Sequence, residues 1–150
     1  MTEHTADTVD MTWALNELAK ERGVVNVLLF TSDGLLLAAS DGLSREDAER
    51  ACAAFSGMKA LNQDLSGFCG QAEEDGDGDG RLTWRHIVSD MKDHTVLVFA
   101  AGRRTGVGVS VRGDSMSQEV AVAITATMKM IRGLRPVLEA RERPAPAGTS

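Results

Sequence analysis

Three aspartates, Asp75, Asp77 and Asp79, stand before Gly80 at the spacing D-x-D-x-D-G within EEDGDGDGRLTWRH, residues 73–86. Alternate carboxylates around a glycine-made turn form the first half of an EF-hand calcium loop, whose closing ligand is a bidentate Glu at the twelfth position. Counting from Asp75, that position is His86. An imidazole nitrogen is a poor ligand for a hard cation, and the exit segment alternates like a strand where the motif needs a helix. Glu73 and Glu74 leave an irregular calcium site open, and a solvated acidic loop is the favoured reading.

Other chemistry-bearing patterns are weaker. Gly113-Asp114-Ser115 lies between an expected strand and an expected helix, as a hydrolase serine would, but residue 117 is Ser where a nucleophile elbow needs Gly. The last histidine is His94, so no base follows Ser115 to activate it. A turn with a helix cap accounts for the segment. Arg112-Gly113-Asp114 spells an integrin tripeptide by chance. Gly106 and Gly108 make neither a dinucleotide nor a phosphate loop. His4, His86 and His94 fall in separate segments without metal-ligand spacing. Nothing assembles a nucleophile, a base and an orienting group, so the chain is expected to be no enzyme and to carry no cofactor.

The bulk properties set the frame for these residues. The 150 residues suffice for one domain with its own core. Residues 1–102 hold 8 Lys+Arg against 18 Asp+Glu, and residues 103–150 hold 8 against 4. Nucleic acid is excluded as the main partner, because its binding depends on a basic face. The basic C-terminal part is expected to be a solvated helix face and tail. No apolar run reaches the ~18 residues of a membrane span, and MTEHTADTVDMTW has no signal-peptide pattern. The expected location is the cytoplasm. Cys52 and Cys69 would lie about 25 Å apart along one helix, out of disulfide reach, each expected to be a small buried or half-buried side chain.

Residues 1–9 are polar and expected to be loose. Met11, Leu15, Leu18 and Arg22 give one face of a first helix ending near Gly23. VVNVLLFT (24–31) and LLLAAS (35–40) flank Ser32-Asp33-Gly34, a strong hairpin signal. Ser44 with Asp47 opens a second helix over about 45–67, with Ala48, Ala51, Cys52, Phe55, Met58, Asn62 and Leu65 at helical spacing. RLTWRHIVSD (81–90) alternates, with Leu82, Trp84, His86 and Val88 on one face. TVLVFAA (95–101) and TGVGVSV (105–111) follow; Val107, Val109 and Val111 share a face, and small residues on the other permit close approach. Ser115 and Gln118 are expected to cap a last helix that Pro136 ends or kinks. The Pro-rich, polar RERPAPAGTS (141–150) marks an expected disordered tail over 139–150. The order α-β-β-α-β-β-β-α fits an α+β fold, a single five-stranded antiparallel sheet with helices packed on it.

The run LNELAKERGVVNVLLFTSDGLLLAASDGLSREDAERACAAFSGMKAL (15–61) resembles the roadblock, or dynein light chain-like, family, and most of all its actinobacterial members associated with Ras-like GTPases. The element order is the family's, and the resemblance covers about residues 10–138. It implies a non-catalytic dimeric interaction module that binds or regulates a small Ras-like GTPase in a signalling assembly. The implied partners are a second copy of the chain, the GTPase and a membrane-bound sensor kinase-type complex. It further implies that second helices pack side by side and third strands pair across a two-fold, which places Ala48, Ala51, Phe55, Met58, Trp84 and His86 at the dimer interface. The main alternative is a small-ligand or calcium-responsive sensory domain with the acidic loop as its cation site.

Overall fold

The computed structural model describes residues 6–70 and 84–142. The elements are α1 (Ala6–Ala19), β1 (Val24–Thr31), β2 (Leu36–Ala39), α2 (Arg45–Gln63), β3 (His86–Met91), β4 (His94–Ala100), β5 (Thr105–Arg112) and α3 (Gln118–Glu142). All strand pairs are antiparallel, in the order β2-β1-β5-β4-β3. The expected fold class is the observed one. Helix α1 begins at Ala6, four residues ahead of the expected domain start.

Alternation along the strands divides the core into two layers. On one face Val27, Leu29, Leu97, Val107, Val109 and Val111 pack against Met11, Leu15 and Leu18 of α1 and Val120, Ile131 and Leu134 of α3. On the other, Leu28, Phe30 and Val98 pack against Ala48, Cys52 and Phe55 of α2. The β1–β2 hairpin turns at Gly34 with φ +89°, a conformation glycine adopts without a Cβ clash. Thr31 N–H donates to the Leu35 carbonyl at 2.8 Å to close it. Ser44 caps α2 as its spacing predicts, its Oγ accepting from the Asp47 N–H at 3.1 Å.

Four expectations need correction. Helix α2 ends at Gln63 with Asp64 as its cap, short of residue 67, and Leu65 beyond it is exposed. Helix α3 is capped by Ser117, whose Oγ accepts from the Val120 N–H at 3.2 Å. Ser115 instead donates its hydroxyl to the Asp90 carboxylate at 2.7 Å, so it stands outside the helix and its hydroxyl is engaged. Of the two effects expected of Pro136, ending or kinking the helix, the first does not occur: α3 continues to Glu142, past the expected domain end at 138. A proline deletes one N–H donor, but buried Leu134 and Leu138 hold the helix down on either side. Beyond them the Glu142 carboxylate accepts from the backbone N–H groups of Arg103 and Arg104. Finally, only Cys52 is buried; Cys69 lies past the end of α2 and is exposed.

Candidate functional site: the open flank of the second helix

Small residues decide where α2 lies. A Cβ on Gly108 would sit 2.2 Å from Phe55 Cε2, and one on Gly106 would sit 2.4 Å from Phe30 Cζ. The two rings rest directly on the glycine backbone of β5, 5.4 Å apart and tilted by 45°. Ser56 Oγ donates to the Ser32 carbonyl at 2.6 Å, and Lys59 Nζ to Ser32 Oγ at 2.6 Å. These bonds tie α2 to the β1–β2 turn. Burial holds the Lys59 ammonium below its ordinary pKa, opposed by the nearby Glu142 carboxylate. Burial also raises the Cys52 thiol, and the Glu49 carboxylate acts in the same direction, so Cys52 is a packing residue and no thiolate nucleophile.

Anchored over β1, β2 and β5, α2 leaves the β4–β3 half of this face without a helix among the described residues. An apolar groove of about 260 Å³ runs along that flank. Ala51, Ala54 and Met58 of α2 form one wall, and Val96, Ser110 and Met91 contribute the sheet side. Leu61, 69% exposed, extends the apolar line on α2, and Phe68 beyond the helix is 90% exposed. Trp84, Ile87 and Val96 are only partly buried against the α2 cluster. β3 is an edge strand, so one side of its backbone meets no neighbouring strand among the described residues.

The six residues assigned to an interface divide into three groups. Ala48 and Phe55 are buried against the chain's own sheet. Ala51, Met58 and Trp84 are half-buried along the open flank, and His86 is exposed on β3. The expectation that Trp84 and His86 share one strand face is overturned. The strand begins at His86, so residue 84 precedes the regular alternation; Trp84 packs with the α2 cluster, whereas the His86 ring stacks on Phe99 of the opposite layer, 5.3 Å away. Sequence reading missed Ala54 and Leu61. Their helical spacing with Met58 was the available signal, but periodicity alone does not tell the buried stripe from a second apolar stripe beside it. Asp75, Asp77, Asp79 and the rest of 71–83 lie outside the described residues. His86, at the closing position of the calcium pattern, is a strand residue.

The described residues thus form a single antiparallel sheet with α1 and α3 on one face and α2 on the other, an apolar flank beside α2 and an open edge at β3. Residues 12–110 match the Roadblock/LC7 domain, and the chain belongs to that family. Among solved structures it is similar to a Roadblock/LC7 domain from Streptomyces avermitilis, at 22% identity over 85% of this chain and 97% of that one, with a TM-score of 0.69. It is similar as well to MglB of Myxococcus xanthus, at 12% identity over 97% and 100% of the two chains, TM-score 0.74. The gliding protein MglB of Thermus thermophilus aligns at 16% identity over 93% and 96%, TM-score 0.70. No curated protein sequence matches the chain. No helix among the described residues is long and apolar enough to cross a membrane.

Proposed function

We propose that this chain is a non-catalytic, homodimeric platform that binds or regulates a small Ras-like GTPase in the cytoplasm, within an assembly that includes a membrane-bound sensor kinase-type complex. The observation that carries the dimer is the open flank of α2 beside the unpaired edge of β3. Among the described residues one chain leaves both an apolar groove and a strand edge open, and a two-fold partner would cover the two at once. Ala51 and Met58, with Ala54 and Leu61, would meet the partner's second helix, and Trp84 and His86 lie beside the strand seam. Ala48 and Phe55 act from beneath by fixing the helix on the sheet. One solved MglB, similar at TM-score 0.71 and 16% identity, is described with a tetrameric arrangement, which supports self-association on this fold. The GTPase rests on the family resemblance.

Light scattering tests the dimer: the expected mass is twice 16.0 kDa. Titration against the Ras-like GTPases encoded near this chain, loaded in turn with GDP and a GTP analogue, tests the partner. The expected result is binding that depends on the nucleotide state. A monomeric mass would remove the dimer, and no binding in either state to any of them would remove the partner.

A further inference from the structure

A second apolar groove, of about 580 Å³, runs along the outside of the molecule between α1 and α3. Trp13 and Ala14 stand on its α1 side, and Met130, Gly133 and Val137 on its α3 side. Ala14, Met130 and Val137 are only partly buried against the core beneath them, and Trp13 is 66% exposed. A Cβ added to Gly133 would meet nothing within 4 Å, so the groove is open there down to the helix backbone. The two helices run antiparallel, since Arg22, just beyond the end of α1, pairs with Glu119 in the first turn of α3 at 3.5 Å. Trp13, nearest the start of α1 among the lining residues, therefore lies at the end of the groove where Val137 stands, and Glu21 at the end where Ala126 stands.

The chain carries a segment of matching chemistry next to the Trp13 end. Helix α3 closes at Glu142, about 7.5 Å past Val137 at 1.5 Å per residue. The sequence continues Arg143-Pro144-Ala145-Pro146-Ala147-Gly148-Thr149-Ser150. Closely spaced prolines favour the polyproline II form, which advances about 3.1 Å per residue. Segments in that form dock on aromatic-lined grooves at a low entropy cost, because the form is already populated when free. We propose that residues 143–150 fold back from Glu142 and lie extended in the α1/α3 groove, with the prolines on Trp13, in place of the disorder that their composition alone suggests. Folded back, Pro144 and Pro146 would stand about 6 and 12 Å from Glu142, on either side of the level of Val137 and Trp13. The eight residues would span about 25 Å, and the path back along α3 from Glu142 to Ala126 is about 24 Å. They carry no acidic side chain for Glu17 and Glu21 on the α1 rim to repel. At Gly133 the segment's backbone can pass close to the helix, because no side chain stands in its way. This contact is separate from the flank of α2 and does not rest on the dimeric reading.

Backbone order in the full chain, read by nitrogen-15 relaxation, tests the fold-back. The expected order parameters of the Ala145 and Ala147 amides are about 0.85, as in rigid backbone, and they fall below about 0.6 in Trp13→Ala and in Gly133→Leu. The first substitution removes the ring on which the prolines rest, and the second fills the groove. Trp13 is exposed and a side chain at 133 meets no neighbour, so both variants are expected to keep the fold, with a urea midpoint unchanged or raised. Pro144→Gly with Pro146→Gly leaves α1 and α3 untouched and is expected to release the segment equally. Proton contacts between the Trp13 indole and the rings of Pro144 or Pro146 are expected within one chain. Order parameters below about 0.6 in the unaltered chain overturn the proposal. So does a segment that stays ordered in all three variants, which would be docked elsewhere. Contacts seen only between differently labelled copies would make the occupant a neighbour's segment and overturn the fold-back.

Discussion

The two faces of the sheet are built from the same strands and finished differently. On the α1/α3 face two helices enclose a continuous apolar layer in which Leu15, Leu29, Leu97 and Leu138 are fully buried. On the α2 face one helix sits low over glycine and leaves a strip of sheet uncovered beside it. The first face closes within one chain and holds the fold together; the second ends in an apolar flank that no helix covers among the described residues. The contrast follows from residue size. Valines on one side of β5 hold the helices at normal packing distance, while Gly106 and Gly108 on the other let two phenylalanines descend to the backbone.

Substitutions can break that contrast or sharpen it. The largest effect is expected on the closed face. Leu97→Ala should cost about 2–5 kcal/mol, as buried leucine truncations do, read from the urea midpoint. Gly108→Ala should cost about 1–3 kcal/mol by overpacking, with Phe55→Leu in the same chain recovering part of it. A loss unaffected by the second substitution would mean that the ring contact does not set the height of α2. Ser44→Ala should cost about 1 kcal/mol through the lost cap. Leu61→Asp should leave stability within about 0.5 kcal/mol while lowering the mass seen by light scattering from dimer to monomer. Stability falling along with mass would show that the open flank belongs to the fold after all. Calcium is expected to give no heat in a titration. Micromolar binding abolished by Asp75→Ala with Asp77→Ala would instead make the Asp-Gly loop a cation site.

Features set by neighbours in sequence were legible before any coordinates: the Asp33-Gly34 hairpin, the Ser44 cap, the alternation of β5 and the order of elements. Close approach at Gly106 and Gly108 was legible too, because a strand face made of small residues implies something pressed against it. What escaped depends on contacts distant in sequence. Pro136 reads as a helix end or a kink, and the choice against an end depends on Leu138 and Glu142 being anchored on the far side of it. Ser115 and Ser117 are equally good caps by type, and Asp90, far away in sequence, engages the first. Alternation groups Trp84 with His86, but the ladder begins two residues later. The outer line of α2 was invisible for a related reason: the spacing identifies apolar stripes, and only the position of the glycines tells which one the sheet takes.

The grip of Glu142 on the β4–β5 turn also fixes the position of the C-terminal end of α3. That turn and the β1–β2 turn meet at one end of the sheet, where Ser32 N–H donates to the Arg104 carbonyl at 2.9 Å. The β3–β4 hairpin lies at the other end. A tag or tethered module joined after Glu142 therefore starts from a set point, beside the beginning of β3 and away from Asp90. In the dimer proposed above, two such tethers would start from two set points related by the two-fold axis, so their separation would be fixed by the domains and not by the linkers.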